Sequence, residues 1–239
     1  MQLTEIKQIR GVIRLKSGLR IGAGDMEMHI GGTDNPVIKH PNTREPYIPG
    51  SSIKGKVRSI LEMRSGLMGA TGGKPLQPKD LKGLNGAREA DCKRILKIFG
   101  SSGADSSEAA ELGPTRVSFA DCPLTDAWRL KVQKERLSLT EVKSENSIDR
   151  IKGTAEHPRF TERVPADTQF DFSVSLRILE ANDEELFVTL LEGLKLLELD
   201  ALGGSGSRGY GKIKFEFFDK KIREEFEKID PFSHGGQQP

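Results

Sequence analysis

The stretch GAGDMEMHIGGTD at residues 22–34 gathers Asp25, Glu27, His29 and Asp34 among glycines. Glycine lets a backbone approach a substrate closely, and a carboxylate delivered in that way can do two things beside an RNA phosphodiester. It can orient and deprotonate an attacking 2′-hydroxyl, or it can hold a divalent cation that neutralises charge on the pentacovalent transition state. An aspartate directly before Asn-Pro, as in Asp34-Asn35-Pro36, equally suits a plain turn. His29 equally suits an unremarkable loop histidine or an RNA contact.

Two further glycine-rich segments approximate phosphate-binding motifs. GSSIKGK at 50–56 nearly matches a P-loop, but Val57 stands where a Ser or Thr hydroxyl would meet magnesium, which argues against an ATPase. GSGSRG at 204–209 fits G-x-G-x-x-G, yet it follows a predicted helix and precedes a predicted strand. A dinucleotide site needs the opposite order. Both segments still leave main-chain N–H groups accessible to a backbone phosphate, and Arg208 and Lys212 flank the second with positive charge. A helix C-cap and turn explains residues 203–211 equally well. Cys92 and Cys122 lie apart from each other and from the four histidines, so neither a disulfide framework nor a zinc spacing is indicated.

The elements that must position these residues alternate clearly. From Gln8 to Lys16 the residues Ile9, Gly11, Ile13 and Leu15 occur at every second position, which predicts a half-buried strand. Ser52 is placed to cap a helix carrying Ile53, Val57, Ile60 and Leu61 on one face, with Lys54 and Arg58 stacked four apart on another. RVSFA at 116–120, TQFDFSVSLRIL at 168–179 and YGKIKFEF at 210–217 read as strands, and Asp183 opens a leucine-rich helix. Strand, helix, strand, strand, helix, strand is the βαββαβ order of an α+β ferredoxin-like fold, which RNA-recognition domains commonly share. A single domain over residues 1–218 is expected, interrupted at 66–113 and 124–167. The first interruption reads as a lid-like insertion outside the core, partly mobile, around the helical patch EADCKRILKIF. Residues 219–239 read as a C-terminal extension, helical to about Lys228 and disordered beyond.

Of the 239 residues, 35% are apolar and 30% charged, which suits a globular protein. No run of eighteen apolar residues and no secretory layout occurs, so a cytoplasmic protein with no membrane partner is expected. The net charge of +2 is small but unevenly spread. Residues 1–64 hold eleven Lys and Arg against six Asp and Glu, and residues 183–200 hold one lysine against six acids.

The segments GLRIGAGD, HIGGTDNPVIKHP, PYIPGSSIKGKVRS, KSENSIDRIKGTAEHPRFTERVP and GGSGSRGYGKI together resemble the backbone subunit of type III-A (Csm) CRISPR effectors, within the RAMP superfamily. The resemblance runs in order along nearly the whole chain. It implies a modified RNA-recognition fold, copies stacked as a filament along a CRISPR guide RNA, and contact with other Csm subunits. The second interruption would be a thumb that breaks guide–target pairing at regular intervals. It further implies that Asp34 cleaves single-stranded target RNA, aided by a divalent metal, Mg2+ or Mn2+, for which Asp34 is the metal ligand. The RNA contacts it implies are Ser51, Ser52, Lys54 and Arg58, with Lys56 off their helical face, then Lys143, Asn146, Arg150, Arg159 and Arg163; Arg20, His29 and Arg208 are further candidate contacts. Two departures stand out: Arg44 and Glu45 where a glycine is expected, and Lys152 where a hydroxyl residue is expected.

With 6% aromatic residues, one Trp and two Tyr among them, base stacking is not expected to dominate. Binding should be backbone-led and weakened by salt, and Watson–Crick pairing would supply the sequence information. The acidic 183–200 region is expected to face a neighbouring copy's basic surface. Two other readings stay open. A guide-processing endoribonuclease of the same superfamily would call for a histidine or cation-assisted acid/base arrangement, and His29, His40, His157 and His234 form no evident cluster. A non-catalytic RNA-binding scaffold would make Asp34 structural.

Overall fold

The computed structural model of the protein describes residues 2–23, 35–69, 71–101 and 111–233. Along the chain run β1 (Glu5–Leu15), α1 (Gly50–Arg64), α2 (Gly86–Phe99), β2 (Val117–Phe119), α3 (Asp126–Glu135), β3 (Glu141–Ile148) and β4 (Ala155–Arg163). They are followed by β5 (Gln169–Ile178), α4 (Glu184–Leu199), β6 (Ile213–Phe217) and α5 (Lys220–Lys228).

Period-two sequences become the strands of the main sheet, ordered β2-β5-β1-β6 and antiparallel at every pairing. In β1, Ile9, Gly11, Ile13 and Leu15 turn inward, opposite Val174, Phe172 and Phe170 of β5 for the first three. On its other side β1 pairs Ile13 with Phe215 and Leu15 with Ile213 of β6. Gly11 is required here, because a Cβ would stand 2.3 Å from the Glu216 carbonyl oxygen. Inward residues of these strands share one core with Ile53, Val57 and Leu61 of α1 and Leu190, Leu191 and Leu194 of α4. Each such fully buried side chain contributes about 1.5–3 kcal/mol. This is the ferredoxin-like βαββαβ arrangement expected from the element order. The two helices cross tightly at Gly193, whose missing side chain makes room for Val57 and Leu61.

Helix α1 starts differently from expectation. Ser52 lies inside it, and the position before it is Pro49, which offers no capping side chain. Asp121, just past β2, takes over that role by accepting the Gly50 N–H at 2.7 Å, a distant carboxylate answering an orphan donor at the helix start.

The 66–113 interruption also differs. Leu67, Leu76, Cys92, Ile95, Leu96, Ile98 and Phe99 all join the core, so α2 is part of the packed body. The reason is its apolar face, which its Gly, Ser and Pro-rich surroundings obscure. Nor does the core end at residue 218, since Phe226 of α5 packs edge-on against Phe217 with ring centroids 4.8 Å apart.

At the joint between β2 and α4, Arg116 and Asp183 are both 0% exposed and meet at 3.2 Å. Arg116 also donates to the carbonyls of Leu112 and Pro114, and Asp183 accepts from the Leu179 N–H. A buried pair of this kind holds only while both charges are present.

Most acids of the 183–200 region are paired within the chain. Lys7 pairs with Glu184, Arg64 with Glu192, Lys214 with Glu198 and Lys56 with Asp200. The sequence excess of acid is local to the helix, and long-range folding brings the matching cations to it.

Candidate nucleic-acid interface

The segment between the middle strands of the core forms α3, whose Trp128 is buried, and then a separate two-stranded sheet of β3 and β4. Register places Glu141 opposite Arg163, Lys143 opposite Thr161 and Glu145 opposite Arg159. Alternate residues of a strand share a face, so these six line one side of the hairpin. That side meets the glycine loop between α4 and β6.

The meeting point is Tyr210, 0% exposed. Lys143 Nζ stands 4.6 Å from its ring centroid and the Arg163 guanidinium carbon 5.1 Å from it. Around the ring, Arg208 donates to Glu145 at 3.0 Å, Lys143 Nζ approaches Glu145 at 3.2 Å, and Arg163 donates to Glu141 at 2.7 Å. Partial burial opposes ionisation of Glu145, but Lys143 and Arg208 lower its pKa. Burial, reinforced by the facing Glu145, raises the pKa of the Tyr210 hydroxyl.

Arg20 joins this assembly from the segment that follows β1. Its carbonyl accepts the Gly204 N–H at 2.9 Å, and its guanidinium donates to Asn35 Oδ1 at 2.9 Å. Asn35 also bridges in parallel to Thr161 of β4 and accepts the Glu162 N–H through its carbonyl. Two residues on, the Val37 N–H donates to Glu162 at 2.9 Å and Lys39 Nζ approaches it at 2.6 Å. Burial would raise the Glu162 pKa, yet Lys39, the Val37 N–H and Thr140 together lower it. The chain after Asp34 is thus anchored at the foot of the hairpin. Asp34 and His29 themselves lie outside the described residues.

On α1 the predicted contacts separate. Ser51, Ser52 and Lys54 sit in the first turns, Ser51 exposed and the other two half-buried, and Lys54 has no ion-pair partner among the described residues. Lys56 pairs with Asp200 at 2.7 Å, and Lys212 donates to the Leu199 and Asp200 carbonyls, so α1 is tied to the entrance of the glycine loop. Arg58 is placed elsewhere. Its guanidinium donates to Glu62, Gly100 O and Leu76 O at 2.7, 2.9 and 2.6 Å, which stitches α1 to the 66–113 region and does not present it beside Lys54.

Further out along the hairpin the pairing slips between Glu145 and Ser147. There Glu145, Asn146, Ser147, His157, Arg159 and Arg208 line a cleft of about 320 Å³. His157 adopts a left-handed φ of 53° although Pro158 follows it, and residues before proline ordinarily stay extended. Arg150 lies apart from this group, exposed in the turn at the tip that Asp149 closes by accepting the Ile151 and Lys152 N–H groups.

The structure therefore brings Arg20, Lys143, Arg163 and Arg208 together around Tyr210, sets Asn146 and Arg159 beside Arg208, and links Lys56 to the same loop through Asp200. Sequence reasoning did not single out Tyr210, Glu145 or Glu162. The one signal for Tyr210 is its position inside the glycine loop GSRGYGK. Among the described residues the two histidines share no site: His40 Nδ1 accepts the Asn42 and Thr43 N–H groups of its own turn, and His157 lines the hairpin cleft. Among the described residues no group of three His, Cys, Asp or Glu could hold a metal ion, and no helix is long and apolar enough to cross a membrane.

Comparison with known proteins places this geometry beside five matches. The model of the RAMP superfamily matches residues 12–214. The CRISPR system Cms endoribonuclease Csm3 of Methanocaldococcus jannaschii is 43% identical over 209 residues, covering 87% of this chain and 77% of that protein. Its namesake from Methanothermobacter thermautotrophicus is 40% identical over 233 residues, covering 90% and 85%. Among solved structures, the Csm3–Csm4 subcomplex of the type III-A CRISPR-Cas interference complex superposes with a TM-score of 0.54 at 30% identity, covering 94% of this chain and 85% of that one. Methanopyrus kandleri Csm3 gives the same TM-score at 25% identity, covering 89% and 75%.

Proposed function

Because the chain belongs to the Csm3 family of the RAMP superfamily, we propose that it is the repeated RNA-binding backbone subunit of a type III-A CRISPR effector, and that Asp34 carries its cleavage of bound target RNA. One observation supports this reading above the others. Asn35, next in sequence to Asp34, is fixed by Arg20 and β4 at the foot of the hairpin where Lys143, Arg163 and Arg208 converge.

The first turns of α1 offer hydroxyls and an ammonium group at Ser51, Ser52 and Lys54 to guide phosphates. Lys56 and Arg208 continue the strip, and Lys143, Asn146, Arg159 and Arg163 extend it up the hairpin toward Arg150. His29 is carried in the same proposal. Contacts of this kind hold backbone and leave base edges free for pairing with the target. Tyr210 is buried and offers no stacking platform. Placement of the scissile linkage beside Asp34 lets the carboxylate take the proton of the 2′-hydroxyl as that oxygen attacks phosphorus. The P–O5′ bond breaks and the 5′-oxygen takes a proton from water, leaving a cyclic phosphate on one product and a hydroxyl on the other.

A divalent cation, Mg2+ or Mn2+, belongs to the same proposal. The described residues supply no set of three ligands for it, so Asp34 would share the ion with oxygens of RNA and water, ligands that suit such hard cations. When bound it would neutralise phosphoryl charge. Further copies of the chain, other Csm subunits, guide RNA and single-stranded target RNA are the partners. The solved Csm3–Csm4 subcomplex supports the protein part of that set.

The test is an effector reconstituted with guide RNA and given matched target RNA. Regularly spaced products that vanish on chelation and return with Mg2+ or Mn2+ are expected. Binding without cutting would favour a scaffold, and cutting of precursor guide in place of target would favour a processing enzyme.

A further inference from the structure

We propose that Tyr210 is the positioning residue that seats the β3–β4 hairpin on the body, acting through its ring on Lys143 and Arg163. The proposal rests on the reading that this hairpin holds RNA for cutting. A two-stranded hairpin is marginal by itself, and of the residues in β3 and β4 only Thr161 and Glu162 are buried. Its direction is therefore decided at the root.

At that root the two cations flanking the Tyr210 ring come from opposite strands, Lys143 from β3 and Arg163 from β4. One ring thus holds both strands at once. Local backbone is shaped for it. Gly209 and Gly211 on either side of Tyr210 have φ of 83° and 72°, a region costly for side-chain-bearing residues, and this conformation turns the ring inward. A Cβ at Gly211 would lie 1.9 Å from the Leu202 carbonyl oxygen. Gly18 leaves space for the arginine, since a Cβ there would lie 2.5 Å from Arg163 Cδ. Glu141 and Glu145 hold the same two cations, so charge is balanced without removing either from the ring. If Tyr210 merely filled volume, any apolar residue of similar size would serve. If it holds the hairpin through its π-face, the electron density of the ring decides.

Phenylalanine, trifluorophenylalanine and pentafluorophenylalanine placed at position 210 keep the shape and progressively weaken the negative face. Hydrogen exchange of the β3–β4 amides in the assembled complex should match wild type for Tyr210→Phe and accelerate with fluorination, by roughly tenfold at the end of the series, the scale of losing two partly buried cation–π contacts. Target cutting should fall in the same order while guide RNA stays bound. Tyr210→Leu should behave like the most fluorinated ring. Exchange that is flat across the series would overturn the proposal, as would exchange that rises while cutting is unchanged. A wild-type complex that binds but never cuts would sink the functional reading instead, and the exchange series would still test the seating.

Discussion

The Arg20 guanidinium donates to Asn35 at 2.9 Å, which couples the segment after β1 to the residue that follows the candidate catalytic aspartate. The same arginine accepts the Gly204 N–H through its carbonyl, so one side chain and its backbone join the segment after β1, Asn35 and the glycine loop. Arg20→Lys keeps the charge but loses the planar fork that reaches Asn35. Target cutting should drop roughly tenfold, the scale set by a misplaced reacting group, while guide RNA affinity changes little. Single-turnover cleavage and filter binding on the same complex measure the two.

Buried ionic pairing at the core joint sets a stability prediction. Arg116→Ala leaves the fully buried Asp183 carboxylate without its cation and should cost about 3–5 kcal/mol. Urea unfolding of the isolated chain reads this directly. Replacing both residues by apolar ones should recover most of the loss.

The Glu162 carboxyl has a folded pKa below its ordinary value. A depressed carboxyl contributes stability above its unfolded pKa of about 4.3 and loses it as pH falls through the lower folded value. Attachment of residues 35–39 to β4 should therefore be constant from neutral pH to about pH 5 and weaken only in stronger acid. Exchange of the Val37 N–H, which donates to this carboxylate, should follow that curve.

Burial pushes the Cys122 thiol up to about 12 and the Cys92 thiol up to about 11. Thiolate is the reactive form, so neither should react with a thiol reagent in the folded chain at pH 8. Both should react at once after unfolding, and a colorimetric thiol count distinguishes the states.

Much of this fold was legible in the residues because its core strands repeat with period two. Phe170, Phe172, Val174 and Leu176 announce β5 without any tertiary information, and the turn at Arg44 was marked too. A glycine is expected there, and Arg44 indeed adopts a left-handed φ of 59°, a conformation that costs a side-chain-bearing residue about 1–2 kcal/mol. The joining of α2 to the core was not legible, because Ile95, Ile98 and Phe99 stand in a segment whose flanks read as loop. The root of the hairpin was hidden for a different reason. Lys143, Arg163 and Tyr210 are far apart in sequence, and a ring between two cations leaves no periodic trace. Arg58 misled for the same reason in reverse: helical spacing places it with Lys54, and only the fold shows Glu62, Leu76 and Gly100 surrounding it.

The most direct test of the account removes one carboxylate and nothing else. In an effector reconstituted with guide RNA and Asp34→Ala in every copy, assembly and target binding should match wild type while the regularly spaced products disappear. Undiminished cutting at the same positions would contradict the assignment of the chemistry to Asp34.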